Sequence, residues 1–353
     1  MDVFSEASTF LAQQLQPLDG TERKKWITNV ANHVQGQCLN LPVVEKQHIE
    51  LAIKEANNTG LDDTETVFRV ISAFDVPSFV YCEEKKKFLP DPSKKSLLAV
   101  PDAKSKYIRE RYWLLWQKTC RHETFSRRLA PGTDETVKKN RMNLRKVENI
   151  LSSSKMNDVV LLGLLTQLTE GRYYLEDPTG SVPIDITTAN FSSGLFCEGC
   201  FLLAYGKYRD GILKVDEVGF PFPELAADSR AFFGSVNSWG GPSKTLLKHS
   251  RNLAELEKAN VEHNIFAKTI VNQSTLAPLT PIAFPTHWNH DAALSLYPLP
   301  DLIVIGDPCQ GFHITEQGCT VMNVGSFPKS KFAFKVYYPS SKTVEDSQIP
   351  DEE

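Results

Sequence analysis

Between Asp158 and Val218 the apolar residues recur with a period of two, and this pattern constrains the fold more than any other feature of the chain. Residues 159–168 read as one long apolar strand interrupted at Gly163, as a strand that bends strongly would be. Arg172-Tyr173-Tyr174-Leu175-Glu176 is a second strand, and Val182, Ile184 and Ile186 alternate as a third. Between these two, Asp177-Pro178-Thr179-Gly180 predicts a turn in which proline presets φ and glycine accepts a positive φ. Residues 201–208 and 212–218 then form a hairpin over Asp210-Gly211, a strong turn dipeptide. Five short strands in this order predict an OB-type β-barrel at 141–225.

The rest of the 353 residues is enough for further domains. Residues 1–75 read as a helical bundle. Trp26, Val30 and Val34 share one helix face, and a second helix runs from Pro42 through Ile49, Ile53 and Ala56 to a stop at Asn57-Asn58-Thr59-Gly60. Asp62 and Glu65 resemble a capping box for a third helix carrying Val67, Ile71 and Phe74 and ending before Pro77. Residues 76–140 read as a linker with one long helix. Phe79-Val80-Tyr81 is a short strand, and Asp102 caps the helix, whose stripe is Ile108, Tyr112, Leu115 and Thr119. That helix also carries Arg109, Arg111, Lys118 and Arg121, while Trp113 and Trp116 are expected to pack onto a neighbouring domain. Further on, Leu302-Ile303-Val304-Ile305 followed by Gly306-Asp307 is a buried strand ending in a turn. Phe332, Phe334, Val336 and Tyr338 alternate as another strand, and 345–353 read as an acidic, frayed end.

Chemistry finds little support in this pattern. There is no phosphate-binding glycine loop, no His-Glu-x-x-His and no Gly-x-Ser-x-Gly. His287 and His290 flank Trp288 on a proline-rich segment, and Asp307 lacks the converging ligands a binuclear hydrolase needs. Seven cysteines, scattered from Cys38 to Cys319, point to reduced thiols. An intracellular protein is expected because no apolar run nears the ~18 residues of a membrane span and the start at Met1 lacks a signal peptide's basic region and apolar core. Cys197 and Cys200 have metal-like spacing without a second ligand pair, so both are expected as thiols at the start of a strand. The sequence therefore predicts no catalytic residue, no metal and no cofactor. With a net charge of −4, any nucleic-acid contact needs a local basic patch. In the barrel Lys207, Tyr208 and Arg209 supply the candidate, with Tyr173, Tyr174 and Tyr205 as further aromatic material for a single-stranded DNA-binding alternative. Tyr173 and Tyr174 face opposite ways, so at most one joins any stacking surface.

Longer motifs carry a resemblance. Gly163-Leu164-Leu165-Thr166-Gln167-Leu168, the stretch from Leu175 to Gly180, Gly219-Phe220-Pro221 and Trp239-Gly240-Gly241-Pro242-Ser243 resemble the B subunits of replicative DNA polymerases. Ile71-Ser72-Ala73-Phe74-Asp75-Val76-Pro77, Lys86-Lys87-Phe88-Leu89-Pro90, Tyr297-Pro298-Leu299-Pro300-Asp301-Leu302 and Gly325-Ser326-Phe327-Pro328 narrow it to the B subunits of polymerase epsilon. The resemblance implies a nuclear, non-catalytic accessory subunit that grips the C-terminal region of the catalytic subunit. It also implies contacts with other polymerase epsilon subunits and with replicative helicase components. The implied fold is an α+β multidomain chain: N-terminal helical bundle, five-stranded OB barrel and a calcineurin-like phosphoesterase domain without metal ligands. In the family a long segment separates the Gly-Gly-Pro-Ser motif from the C-terminal strands; here they join near residues 259–263. Residues 226–262 are thus expected as the truncated start of that domain, 263–345 as its C-terminal part and 346–353 as an acidic tail. Residues 244–345 are expected to form an incomplete, weakly packed remnant with exposed strand edges.

Overall fold

The computed structural model describes residues 3–15, 20–35, 44, 46–58, 70–93, 95–126, 141–234, 238, 247–250, 263–278, 286–306 and 310–350. The chain divides into two compact units, one made of Met1–Pro77 with Arg230–Ser243 and the other of Ser78–Ser229 with Lys244–Glu353.

In the first unit, α1 (Val3–Leu15), α2 (Gly20–Gln35) and α3 (Lys46–Asn58) form the expected helices. Val30 of α2 buries against Ala52 of α3, with Trp26, Val34 and Ile53 around them. The four-residue spacing read from the sequence is thus the spacing of the packed face. Pro42 and the capping-box pair Asp62 and Glu65 lie outside the described residues. Residues 70–76 are not helical, against expectation. Ser72 closes a turn instead, accepting from the Phe74 amide on its hydroxyl (3.3 Å) and from the Asp75 amide on its carbonyl (3.0 Å). A serine that bonds its neighbouring backbone competes with helix formation.

The second unit opens with a hairpin of β1 (Phe79–Cys82) and β2 (Lys87–Pro90), followed by α4 (Asp102–Arg121). Pro101 rather than Asp102 occupies the α4 cap, and no side chain bonds there. Proline suits a helix start because its missing N–H would have no helical partner. Then come β3 (Leu144–Arg145), α5 (Val147–Leu151), β4 (Lys155–Thr169), β5 (Arg172–Asp177), β6 (Gly180–Asp185), β7 (Asn190–Phe191), β8 (Phe201–Arg209) and β9 (Ile212–Gly219). β4 pairs with β5, β5 with β6, β6 with β9, β9 with β8, and β8 with β4. Val159, Leu161, Leu165, Leu175, Val182, Leu202, Ala204, Leu213 and Val215 fill one core cluster between these strands. Val160 and Leu162 point to the other face of β4 and join Phe201, Leu203, Tyr112 and Leu115 in a second cluster beneath α4. The uninterrupted apolar run of β4 is explained by this arrangement, because both faces of the strand are covered.

Gly163 is required by the approach of β5. A Cβ placed there would lie 2.6 Å from Leu175 Cγ and 2.8 Å from the Glu176 carbonyl oxygen. The Asp177–Gly180 turn works differently from its sequence reading, since Gly180 does not take a positive φ. The Asp177 carboxylate organises the turn, with Oδ1 accepting from the Thr179 and Gly180 amides at 2.7 and 3.1 Å. Its Oδ2 accepts from the Val147 amide at 2.9 Å, and Thr179 Oγ1 accepts from the Glu148 amide at 3.1 Å. The turn thereby caps α5, whose Val147 and Ile150 plug the core cluster. Asp210-Gly211 does form the expected two-residue turn, with φ of 53° and 82°.

Beyond α6 (Ala226–Phe233), a four-stranded sheet runs in the order β10 (Leu247–Ser250), β11 (Leu302–Ile305), β13 (Cys319–Asn323), β12 (Phe312–Glu316). β10, β11 and β13 are mutually parallel, and β12 is antiparallel to β13. Helix α7 (His263–Gln273) covers one face with Phe266, Ala267, Ile270 and Val271, burying Ile303, Ile305, Cys319 and Val321. The expected weak packing is therefore not seen in the described part of 244–345. β11 has a partner on each side instead of an open edge. The acidic end also differs, because β15 (Thr343–Gln348) pairs with β14 (Ala333–Tyr338) as a hairpin. Lys335 pairs there with Asp346, and the Tyr338 hydroxyl donates to Glu345 at 3.0 Å, so part of the acidic charge is neutralised locally.

Three substitutions test these local requirements. Asp177→Ala removes bonds to three amides at once and is expected to lower stability by about 1–3 kcal/mol in urea unfolding. Gly163→Ala is expected to cost about 1–3 kcal/mol by overpacking, whereas Gly180→Ala, whose Cβ meets nothing closer than 3.5 Å, should change the midpoint little.

Candidate functional site

Arg111 and Lys118 stand seven residues apart on α4 and so share one side of the helix, with Arg121 a turn beyond. Each meets a partner from a distant part of the second unit. Arg111 Nε donates to Asp291 Oδ2 at 2.9 Å, Nη2 pairs with Asp291 Oδ1, and Nη1 donates to the Ala277 carbonyl at 3.1 Å. Burial opposes the guanidinium charge, but the Asp291 carboxylate outweighs it and raises the Arg111 pKa. Lys118 Nζ donates to the Asn272 carbonyl and to Ser274 Oγ, each at 2.9 Å. Burial pushes its pKa down to about 7, with Glu224 opposing. Arg121 forks onto Glu224 at 2.5 and 2.8 Å and donates to the Tyr297 hydroxyl at 2.8 Å.

A second set of bonds ties α7 to the start of β8. The Gln273 amide brackets Phe201, accepting from its N–H at 2.9 Å and donating to its carbonyl at 2.6 Å. Thr269 Oγ1 accepts from the Leu195 amide at 3.0 Å. Arg111, Lys118 and Arg121 of α4 and Thr269 and Gln273 of α7 are thus engaged in holding the unit together. The arrangement fixes Asn272, Ser274, Ala277, Asp291 and Glu224 against α4. Among the described residues it offers no nucleophile with an adjacent base in a cleft.

The candidate nucleic-acid residues do not converge. Tyr208 is buried in the core cluster between the strands, so its ring is unavailable for stacking. Alternation along β8 dictates this, since Tyr208 shares a face with Leu202 and Ala204. Lys207 is exposed, 3.7 Å from Asp216, and Arg209 is exposed at the end of β8 beside the Asp210-Gly211 turn. Tyr205 packs against the cluster under α4 and donates its hydroxyl to Asp158 at 2.9 Å. Tyr173 is 38% exposed. Trp113 and Trp116 pack on that same cluster beneath the ammonium of Lys146, 5.1 and 6.0 Å from their ring centres. His287 and His290 owe their spacing to a 3₁₀ turn at Trp288–Ala293, in which the His290 amide donates to the His287 carbonyl at 2.8 Å. Among the described residues no three His, Cys, Asp or Glu side chains group as a metal site; Asp307 lies outside them. The docking residues Asp291, Gln273 and Ser274 were missed by sequence reasoning, because polar residues in loops and on one helix carry no period that marks a partner.

Titration should expose the α4 contacts. Lys118 binds its proton near 10.5 when unfolded and about 7 when folded, so the unfolded chain holds more protons in that window. Stability is expected to rise from pH 7 towards pH 10. Above that, the ordinary tyrosine pKa of 10.0, raised by burial at Tyr112 and Tyr297, reverses the trend. Burial pushes Glu110 the other way, from 4.5 up to about 7, so its contribution falls as pH rises between those values. Melting curves of Lys118→Met should lose the upper slope and those of Glu110→Gln the lower one. Arg111→Ala, which strands the Asp291 carboxylate, should cost about 3 kcal/mol in the same assay.

Comparison with known proteins places these features in one lineage. The family described as DNA polymerase epsilon subunit 2-like, OB-fold domain matches residues 101–222, a range that takes in α4 together with the strands. The DNA polymerases epsilon N terminal family matches residues 2–56, and the family of DNA polymerase alpha/epsilon B subunits matches residues 240–314. DNA polymerase epsilon subunit 2 of Drosophila melanogaster is 37% identical over 499 aligned positions, covering 99% of this chain and 95% of its own. The Homo sapiens protein of that name is 28% identical, covering 98% and 95%. The DNA polymerase epsilon B subunit of Arabidopsis thaliana is 34% identical over 54% of this chain and 36% of its own. The 499 aligned positions exceed the 353 residues available here, so the Drosophila protein carries internal stretches with no counterpart in this chain. With its helices, OB-fold region and C-terminal sheet all accounted for by these matches, the chain belongs to the DNA polymerase epsilon subunit 2 family.

Proposed function

We propose that this chain works as a non-catalytic accessory subunit of the DNA polymerase epsilon complex in chromosomal DNA replication, presenting a protein-binding platform and having no active site of its own. Membership of the family supports the assignment to the complex. The observation that carries the platform reading is the fate of the α4 cations: Arg111, Lys118 and Arg121 are engaged by Asp291, Ser274 and Glu224. The partners we assign are the C-terminal region of the catalytic subunit, the other polymerase epsilon subunits and, through residues 1–75, replicative helicase components. With such partners we assign the chain to the nucleus.

In this reading residues 141–225 are a five-stranded OB barrel, supported by the circuit of pairings among β4, β5, β6, β9 and β8. Residues 226–262 and 263–345 are the two ends of a phosphoesterase-like domain whose central segment is missing. The mostly parallel sheet with α7 on one face supports this. Direct single-stranded DNA binding is the weaker reading, because Tyr208 is enclosed in the core.

Co-purification of the full chain with the C-terminal region of the catalytic subunit, together with titration by single-stranded DNA, separates the two. We expect capture of the polymerase region and no affinity for single-stranded DNA by the chain alone. A salt-dependent DNA affinity abolished by Lys207→Ala with Arg209→Ala, without capture, would overturn the proposal.

A further inference from the structure

We propose that Cys197 and Cys200 form an oxidisable dithiol that closes to an intramolecular disulfide on reaction with a low-molecular-weight disulfide such as oxidised glutathione. Their Sγ atoms lie 3.3 Å apart and share a hydrogen bond. A disulfide needs about 2.05 Å, so a small shift of one side chain suffices. The loop that carries them is held at several points. The Gly199 amide donates to the Leu165 carbonyl and the Leu165 amide to the Cys200 carbonyl, both at 2.9 Å. The Cys200 amide donates to the Cys197 carbonyl at 3.1 Å, and Gly199 makes the reversal at a φ of 89°. Phe196, just before the pair, stacks on Phe220 with ring centres 4.3 Å apart. The two sulfurs therefore face each other without a conformational search.

The pair is asymmetric in the way a two-step exchange requires. Cys197 is partly exposed, and Cys200 is fully buried. The hydrogen bond from the Cys200 thiol lowers the pKa of Cys197, and the same bond, with burial, raises that of Cys200. The Cys197 thiolate attacks one sulfur of oxidised glutathione, breaking its S–S bond, forming a mixed disulfide and expelling one glutathione thiolate. Cys200 then attacks Cys197 Sγ as its proton passes to the departing sulfur, forming the protein disulfide and releasing the second glutathione as its thiol. Two protein thiols are oxidised and one glutathione disulfide is reduced. Closure removes the Cys200 S–H that donates to the Pro278 carbonyl at 3.5 Å, one residue from the carbonyl that Arg111 holds. The oxidation state is thereby coupled to the docking of segment 274–278 against the barrel.

The test uses the full-length chain in glutathione buffers of graded ratio, with acid quenching, alkylation of remaining thiols and mass spectrometry. Trypsin releases residues 173–207 as one peptide that contains these two cysteines and no other. The wild-type peptide is expected to lose two hydrogens and retain no glutathione. Cys200→Ser should stop with one glutathione on Cys197, and Cys197→Ser should react about tenfold or more slowly. The proposal is overturned if the wild-type peptide stays reduced in oxidised glutathione alone, if it keeps a glutathione adduct instead of closing, or if Cys197→Ser reacts as fast as Cys200→Ser.

Discussion

The apolar side of α4, closed over the outer face of β4 and β8, is the contact on which the larger unit depends. Val160, Leu162, Phe201 and Leu203 would otherwise present a row of large apolar side chains to water. Tyr112 and Leu115 cover them and are themselves almost fully enclosed. Once α4 is seated in this way, the direction of the adjacent stripe that carries Arg111 and Lys118 is decided. Arg111, Lys118 and Arg121 then point where residues 272–297 and Glu224 can meet them. The apolar contact supplies the favourable free energy, since buried charge pairs often do little better than break even against desolvation. The charged contacts choose one orientation among the many that an apolar face alone would allow.

This division of labour bears on what the chain can do. The basic side chains of α4 hold one segment of the unit against another. The OB fold supports many functions, so the fold alone does not decide among them. Enclosure of Tyr208 removes one ring from the candidate nucleic-acid group, and the α4 contacts with Asp291, Ser274 and Glu224 are internal to the fold. The C-terminal sheet fits the same logic. With β10 and β13 on either side of β11 and α7 above them, a chain shorter than its relatives still encloses its apolar strands.

β6 and β9 were legible because a half-buried strand writes its faces into alternate residues, β4 and β8 because a strand covered on both faces is a continuous apolar run, and the helix at 20–35 because Trp26, Val30 and Val34 repeat at helical spacing. The failures have equally physical causes. Val67, Ile71 and Phe74 have helical spacing, yet Ser72 bonds its own backbone and leaves Phe74 57% exposed. Tyr208 looked like surface material from its basic neighbours, although strand alternation already assigned it to the face of Leu202 and Ala204. The acidic end looked frayed by composition, while cross-strand partners for Glu345 and Asp346 lay on β14.

By itself the sequence determined the local elements: the period-two strands, the Asp210-Gly211 turn, the long helix at 102–121 and the glycine at 163. It also carried motifs enough to name a family. These are features set by backbone conformation and by neighbours a few residues apart. Tertiary structure decided that Asp177 caps a helix thirty residues upstream, that Arg111 pairs with Asp291 and that Gln273 brackets Phe201. Such pairings depend on which groups the packing of apolar faces brings together, and no spacing along the chain encodes that distance.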